Sequence, residues 1–190
     1  MTAERRNLWL RIAAVAAAQA AVLGWMIWDR AHLLASGREI VLEVVPVDPR
    51  SLFRGDYVVL NYDISRIETA SGEEPLRRGA VVYVTLQRTE GDRWQVVQSS
   101  LSPPASTAAD QVVLKGRVQY ASAATKQAPG QASVRYGIES FFVPEGSGRE
   151  LEKLVGEKRL AALIAVDEEG NAAIKGLVSE GKRVYEEPLF

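Results

Sequence analysis

The chain reads as mainly β, an N-terminal transmembrane helix followed by a compact β-sandwich or partly closed barrel with one short helix. Three observations predict this. Residues 12–28 (IAAVAAAQAAVLGWMIW) carry no charge. Beyond residue 36 the sequence breaks into short β-branched runs separated by Gly, Pro, Asp and Asn, the pattern of strands and turns. One stretch alone, 147–156, combines a capping pair with helical spacing.

The apolar run reaches 21 residues when 8–11 are added, enough to cross a bilayer as a helix. Trp9, Trp25 and Trp28 stand near its ends, as interfacial aromatics do. Arg5, Arg6 and Arg11 precede or open the run, and Asp29, Arg30 and His32 follow it. The positive-inside rule then predicts a cytoplasmic N-terminus and an exported remainder. Two other readings stay open. Ala18-Gln19-Ala20 fits a cleaved signal peptide, although the apolar stretch continues past it. A buried Ala-rich helix is the third reading, and the flanking Trp and Arg pattern argues against it. The expected organisation is a cytoplasmic tail and membrane anchor over 1–35 and an exported β-rich domain over 36–190.

Within that domain, 39–47 (EIVLEVVPV) reads as a strand ended by Pro46, and 48–51 is turn chemistry. Strands are expected at 57–64 and 80–87, the latter turning through 89–92 into a strand at 93–100. A Ser/Pro/Ala-rich loop at 101–110 precedes a strand at 111–120, with Gly116 as a candidate bulge. Residues 121–132 read as a loop and 133–143 as one strand bent at Gly137. Ser147 and Glu150 cap a short helix with Leu151, Leu154 and Val155 on one face and Gly156 at its end. A hairpin, 160–166 and 172–178 around the turn 167–171, follows, and 182–185 adds an edge. The count is seven or eight strands.

Composition narrows the chemistry. With no cysteine in 190 residues, disulfides, thiolate zinc sites and cysteine nucleophiles are excluded, and a single histidine excludes a His-rich metal site. A net charge of −1 argues against nucleic acid as a partner. No phosphate-cradling, dinucleotide or zinc-hydrolase motif is present. No metal and no cofactor is expected.

Two dense polar blocks remain. The first runs from Asp48 to Tyr62 and includes Arg50, Arg54, Gly55, Asp56, Tyr57 and Leu60. Arg50 and Arg54 offer forked donors to a carboxylate or phosphate, or the same charges fix a turn at Gly55. The tyrosines are read as lining a half-buried sheet with their hydroxyls bonded, rather than as catalytic phenols. The second block holds Tyr136, Gly137, Glu139, Phe142, Pro144 and Glu145. Glu139 and Glu145 would pair with the arginines or serve as an acid and a base, and Glu145 also suits the following helix N-terminus. Ser51 or Ser65 with Lys115 are the available Ser–Lys pairs, and nothing in their spacing selects them.

Gly55-Asp56-Tyr57-Val58-Val59-Leu60-Asn61-Tyr62 matches every fixed position of the signature that names the GDYXXLXY family. Val47-Asp48-Pro49-Arg50 and Leu52-Phe53-Arg54 resemble that family's lead-in, and residues 136–146 resemble its second block. The resemblance spans about 38–178. It implies a bacterial, membrane-anchored protein without an assigned activity, and it favours a partner in the membrane, because members are often encoded beside a multi-pass membrane protein. It supplies no catalytic residues. Arg54-Gly55-Asp56 and the apolar strand after it also resemble the corresponding strand of bacterial signal peptidases, but the serine and lysine boxes that should precede it are missing.

The leading expectation is therefore a non-enzymatic accessory subunit of the bacterial inner membrane. It spans the membrane once, and its periplasmic domain docks on an integral membrane protein through the two blocks. The alternatives are an envelope hydrolase on a remote signal-peptidase-like barrel, using Asp56 and Glu139, and a small-ligand binding module using the arginines.

Overall fold

The computed structural model describes residues 3–45, 57–69, 76–89, 91–122, 129–142 and 148–186. A single helix, α1 (Ala3–Ser36), leads into eleven strands and one short helix among the described residues. Its segment Trp9–Ser36 is long and apolar enough to cross a membrane, and the most apolar window of that segment is buried against nothing in the protein. The helix outruns the apolar sequence by two turns. Leu33 and Leu34 in those turns are buried together with Ala173, so the helix ends as a packed element of the β-rich body.

The antiparallel strand β1 (Arg38–Glu43) opens the first sheet, whose order is β1, β9 (Leu160–Val166), β10 (Ala172–Ser179), β11 (Lys182–Glu186). The second sheet has the order β3 (Arg66–Thr69), β7 (Gly130–Arg135), β6 (Gln111–Ser122), β4 (Val81–Arg88), β5 (Trp94–Ser100). Its two edge strands, β3 and β5, approach each other, so that it is a nearly closed barrel. A separate ladder pairs β2 (Tyr57–Val59) with β8 (Ser140–Phe142). The predicted mainly-β fold with one apolar N-terminal helix is what forms.

Alternation explains the packing. Val82, Val84 and Leu86 of β4 and Val112, Leu114 and Val118 of β6 point inward at period two. They meet Ile40 and Leu42 of β1 and Leu160, Ala162, Ile164 and Val166 of β9 in one shared core. β9 is an exception to clean alternation: nearly all of it is buried. Its second face is covered by the end of α1, which passes so close that a Cβ on Gly37 would lie 3.1 Å from the Ala165 Cβ and 2.6 Å from the Leu33 carbonyl oxygen. A strand buried on both faces reads as a continuous apolar run, as LAALIAV does.

The two sheets are joined at one end by the β9–β10 turn. Asp167 accepts from the Asn171 amide at 2.7 Å and from its side chain at 2.8 Å, an Asx-type closure. Gly170, at φ +85°, then places its carbonyl 2.8 Å from the Lys115 amide in β6. A Cβ there would meet the β6 backbone at 3.1 Å, so both the conformation and the space call for glycine.

Four expectations about elements change. Eleven strands form among the described residues where seven or eight were expected. The strand anticipated over 57–64 stops at Val59; residues 60–62 leave the ladder, and a 3-10 turn (Asp63–Ser65) leads into β3, which sequence reading missed. The strand anticipated over 133–143 is two strands in different sheets, separated at Gly137, whose φ is +85°. Gly116 is not the bulge of β6: it pairs regularly with Val82 in β4, and the irregularity lies between Val118 and Tyr120. The helix over 148–156 forms as α2 (Gly148–Gly156), with Leu151 and Val155 in the core. Its proposed cap, Ser147, lies outside the described residues.

Candidate functional site

Between β2 and β3 the chain runs extended through Leu60-Asn61-Tyr62 and passes between the sheets. The Asn61 carbonyl accepts from the Val45 amide at 2.8 Å, beyond the end of β1. The Leu60 amide donates to the Glu139 carbonyl at 2.9 Å, just before β8. The tail of the first block is thus stitched to the four-stranded sheet on one side and to the second block on the other.

Two tyrosines complete the junction. The Tyr62 hydroxyl donates to the Ile138 carbonyl at 2.8 Å. The Tyr136 hydroxyl donates to the Ile64 carbonyl at 2.7 Å. The first block thus sends a phenol into the backbone of the second, and the second sends one into the turn that follows the first. Leu60 is fully buried, and Tyr62 and Tyr136 are 3% and 6% exposed. Burial lifts both phenols above their ordinary range, with the nearby Glu139 charge adding to it. They remain neutral donors at physiological pH.

Glu139 acts on its own turn. One carboxylate oxygen accepts from the Tyr136 amide at 2.6 Å and the other from the Gly137 amide at 3.0 Å. These bonds hold the positive-φ break that moves the chain from β7 to β8. Gly116 provides the room: a Cβ on it would lie 2.3 Å from Val134 Cγ1 and 2.9 Å from Tyr136 Cδ1. Close approach by Val134, and then by the Tyr136 ring, is the reason for glycine in the middle of β6.

The other anticipated residues divide clearly. Tyr57 enters the β2–β8 ladder opposite Phe142. Phe142 is 73% exposed. Asp48, Arg50, Arg54, Gly55, Asp56, Pro144 and Glu145 lie outside the described residues, as does Ser51. Ser65 has its hydroxyl buried without a hydrogen-bond partner. Among the described residues no group of three or more His, Asp or Glu side chains is placed to hold a metal.

The bond from Tyr62 to Ile138 gives the last tyrosine of the signature a structural role. The profile of the family described as GDYXXLXY protein matches residues 19–177. The chain belongs to the GDYXXLXY family. No curated relative and no solved structure matches it. The match covers the second half of the apolar helix, both blocks and every strand except β11 and the last two residues of β10, so the two crossing bonds, a clasp between the blocks, lie within the matched region.

Sequence reading missed Ile138 and Ile64, which contribute only carbonyl groups, and Gly116, whose role is the absence of a side chain. Backbone acceptors carry no signal in side-chain identity. A glycine inside an otherwise apolar strand was the available clue, and it marks close approach as often as a bulge.

Proposed function

We propose that this protein is a non-enzymatic accessory subunit of the bacterial inner membrane, held by α1 with its β-rich body in the periplasm, which docks on an integral membrane protein. The observation that carries the reading is the β2–β8 ladder. It is two strands wide among the described residues, and it ends at Phe142, a large apolar side chain that is mostly exposed. A short ladder that carries a mostly exposed aromatic ring suits contact with a partner protein. The helix α1, long and apolar enough to cross a membrane, supports a partner there. The clasp of Tyr62 and Tyr136 bears on the reading indirectly: those side chains are engaged in the core, so a partner would have to use other residues of the blocks.

In-cell crosslinking and mass spectrometry of the tagged full-length protein tests the proposal. A single integral membrane partner is expected, with its yield reduced in Phe142→Ser and Arg54→Ala while the melting temperature holds. Equal crosslinking of wild type and both variants would remove the blocks from the interface. A reporter fused after Phe190 should report an exported location; a cytoplasmic signal would reverse the orientation.

A further inference from the structure

The outer face of the five-stranded sheet carries a charge arrangement that the fold does not use. Arg117 of β6 stands directly opposite Arg135 of β7. Both are exposed, and their neighbours Gly116, Val118, Val134 and Tyr136 are buried, so alternation sets the two arginines on the outer face. Like charges placed opposite each other across a ladder cost stability. Arg117 donates to the Gly79 carbonyl at 2.9 Å. Neither arginine takes part in an ion pair among the described residues.

More positive charge borders the pair. The Gly79 amide donates to the Val118 carbonyl at 2.8 Å, so the turn that follows Arg77 and Arg78 lies against β6 beside Arg117. Both of these arginines are exposed and also without an ion pair among the described residues. Lys115 lies on the same face, two positions before Arg117 and about 7 Å away. The described carboxylates of the surrounding elements do not offset this charge. Glu68 of β3 faces the same side but pairs with Gln131, four positions along β7 from Arg135. Glu139 is engaged by the Tyr136 and Gly137 amides. Glu168 and Glu169 precede Gly170, which abuts Lys115, yet neither forms an ion pair with it.

Uncharged contact area lies within the same face. In β4, Val81 is opposite Arg117 and Tyr83 is opposite Lys115, both half-buried. Tyr120 emerges at the irregularity of β6, opposite Ser133, and is 66% exposed. Arginine and tyrosine together, with few carboxylates, make the composition of a protein interface core.

The chemistry selects the occupant. Guanidinium groups side by side present forked donors to carboxylates. Lys115 and Arg117 repeat at the spacing of alternate residues in a strand, which is also the spacing of acidic side chains at i and i+2 of an extended chain. Lipid headgroups suit the face less well. Arg38, just past the end of α1, is tied to the Gln111 carbonyl, and Arg117 lies six positions further along β6, about 20 Å away. The field of an anionic membrane decays over about 8 Å at physiological salt.

We propose that the outer face of β4, β6 and β7 docks an extended acidic segment of a partner protein, whose alternate carboxylates meet Lys115, Arg117 and Arg135. The surface shares no residue with the two blocks and does not depend on the docking role proposed above.

The test uses the full-length protein in neutral detergent and the fluorescence anisotropy of three labelled peptides. One alternates Glu and Thr, one holds the same residues as two blocks, and one alternates Lys and Thr. The alternating Glu peptide should bind at physiological salt, severalfold tighter than the blocked one, and the Lys peptide should not bind. Arg117→Gln/Arg135→Gln should abolish measurable binding. Arg135→Gln alone removes a like-charge pair and no hydrogen bond among the described residues, so its melting temperature should hold or rise. A lower melting temperature there would assign Arg135 to the fold and overturn the proposal. So would equal affinity for the alternating and blocked peptides, or a double variant that binds as the wild type does. A severalfold gain of affinity in Glu73→Gln/Glu74→Gln would make the chain's own carboxylates the occupant and would also overturn it. A photoreactive residue at Tyr83 should give no lipid adduct in proteoliposomes containing phosphatidylglycerol; such an adduct would reassign the face to headgroups.

Discussion

The Tyr62 hydroxyl reaches across 76 positions of sequence to the Ile138 carbonyl and closes on it at 2.8 Å in the core. The return bond, from Tyr136 to the Ile64 carbonyl, spans 72 positions. Two phenols point in opposite directions over the same junction, and each satisfies a carbonyl that leaves its strand ladder. Removing either hydroxyl strands a buried acceptor. Tyr62→Phe and Tyr136→Phe should each lower stability by about 1–3 kcal/mol, measured by urea denaturation in detergent. The double variant should lose less than the sum, because both bonds hold one junction.

Alkaline pH should expose the same pair. Both phenols have folded values raised above the ordinary 10.0. The folded state therefore holds these protons more tightly than the unfolded state. Their contribution is complete below pH 10 and is lost as pH rises beyond it. Absorbance near the phenolate band should show Tyr62 and Tyr136 ionising only together with cooperative unfolding. Tyr62→Phe should flatten the decline of stability above pH 10.

Gly116→Ala should destabilise the body by about 1–3 kcal/mol or more through overpacking against Val134 and Tyr136. The clash with Val134 is the closer one, at 2.3 Å. Val134→Ala in the same chain should return part of the loss. Thermal melts of the single and double variants check both statements, and a double variant no better than Gly116→Ala would place the strain on Tyr136 instead.

Leu33→Ala/Leu34→Ala should release the end of α1 from the sheet. The loss is about 2 kcal/mol or more for each buried leucine, confined to this contact and not to the main core. Hydrogen exchange is the suitable measurement, because the Gly37 amide is bonded to the Leu33 carbonyl at 2.9 Å. Exchange at Gly37 should accelerate strongly while the amides of β4 and β6 keep their protection.

Where a strand and its partner are sequence neighbours, the fold was legible. The 160–166 and 172–178 hairpin forms around the anticipated turn, because DEEGN supplies both the Asx closure and the glycine that the turn requires. Legibility failed where the chain changes sheets. Tyr57 to Ile64 looks like one strand because it is apolar and β-rich, yet the ladder ends at Val59. The pairing that ends it involves Glu139, some 80 positions away, and periodicity carries no information on remote partners. β3 (RIET) is too short for its alternation to stand out. The arginine pair on the outer face was invisible for a related reason. Arg117 and Arg135 are ordinary strand residues until the fold sets them opposite each other.

The docking of Leu33 and Leu34 on Ala173 also decides how this molecule tolerates trimming. The helix supplies the last piece of cover for the outer side of the sheet it leads into. A body trimmed at Ser36 would present a bare greasy strip over Ala165 and Ala173, and would self-associate for a reason unrelated to its biology. Trimmed between Trp28 and Asp29 it keeps its own lid. The helix meets the body as a post rather than a string, because its last turns are packed on the sheet instead of leading into a loose linker.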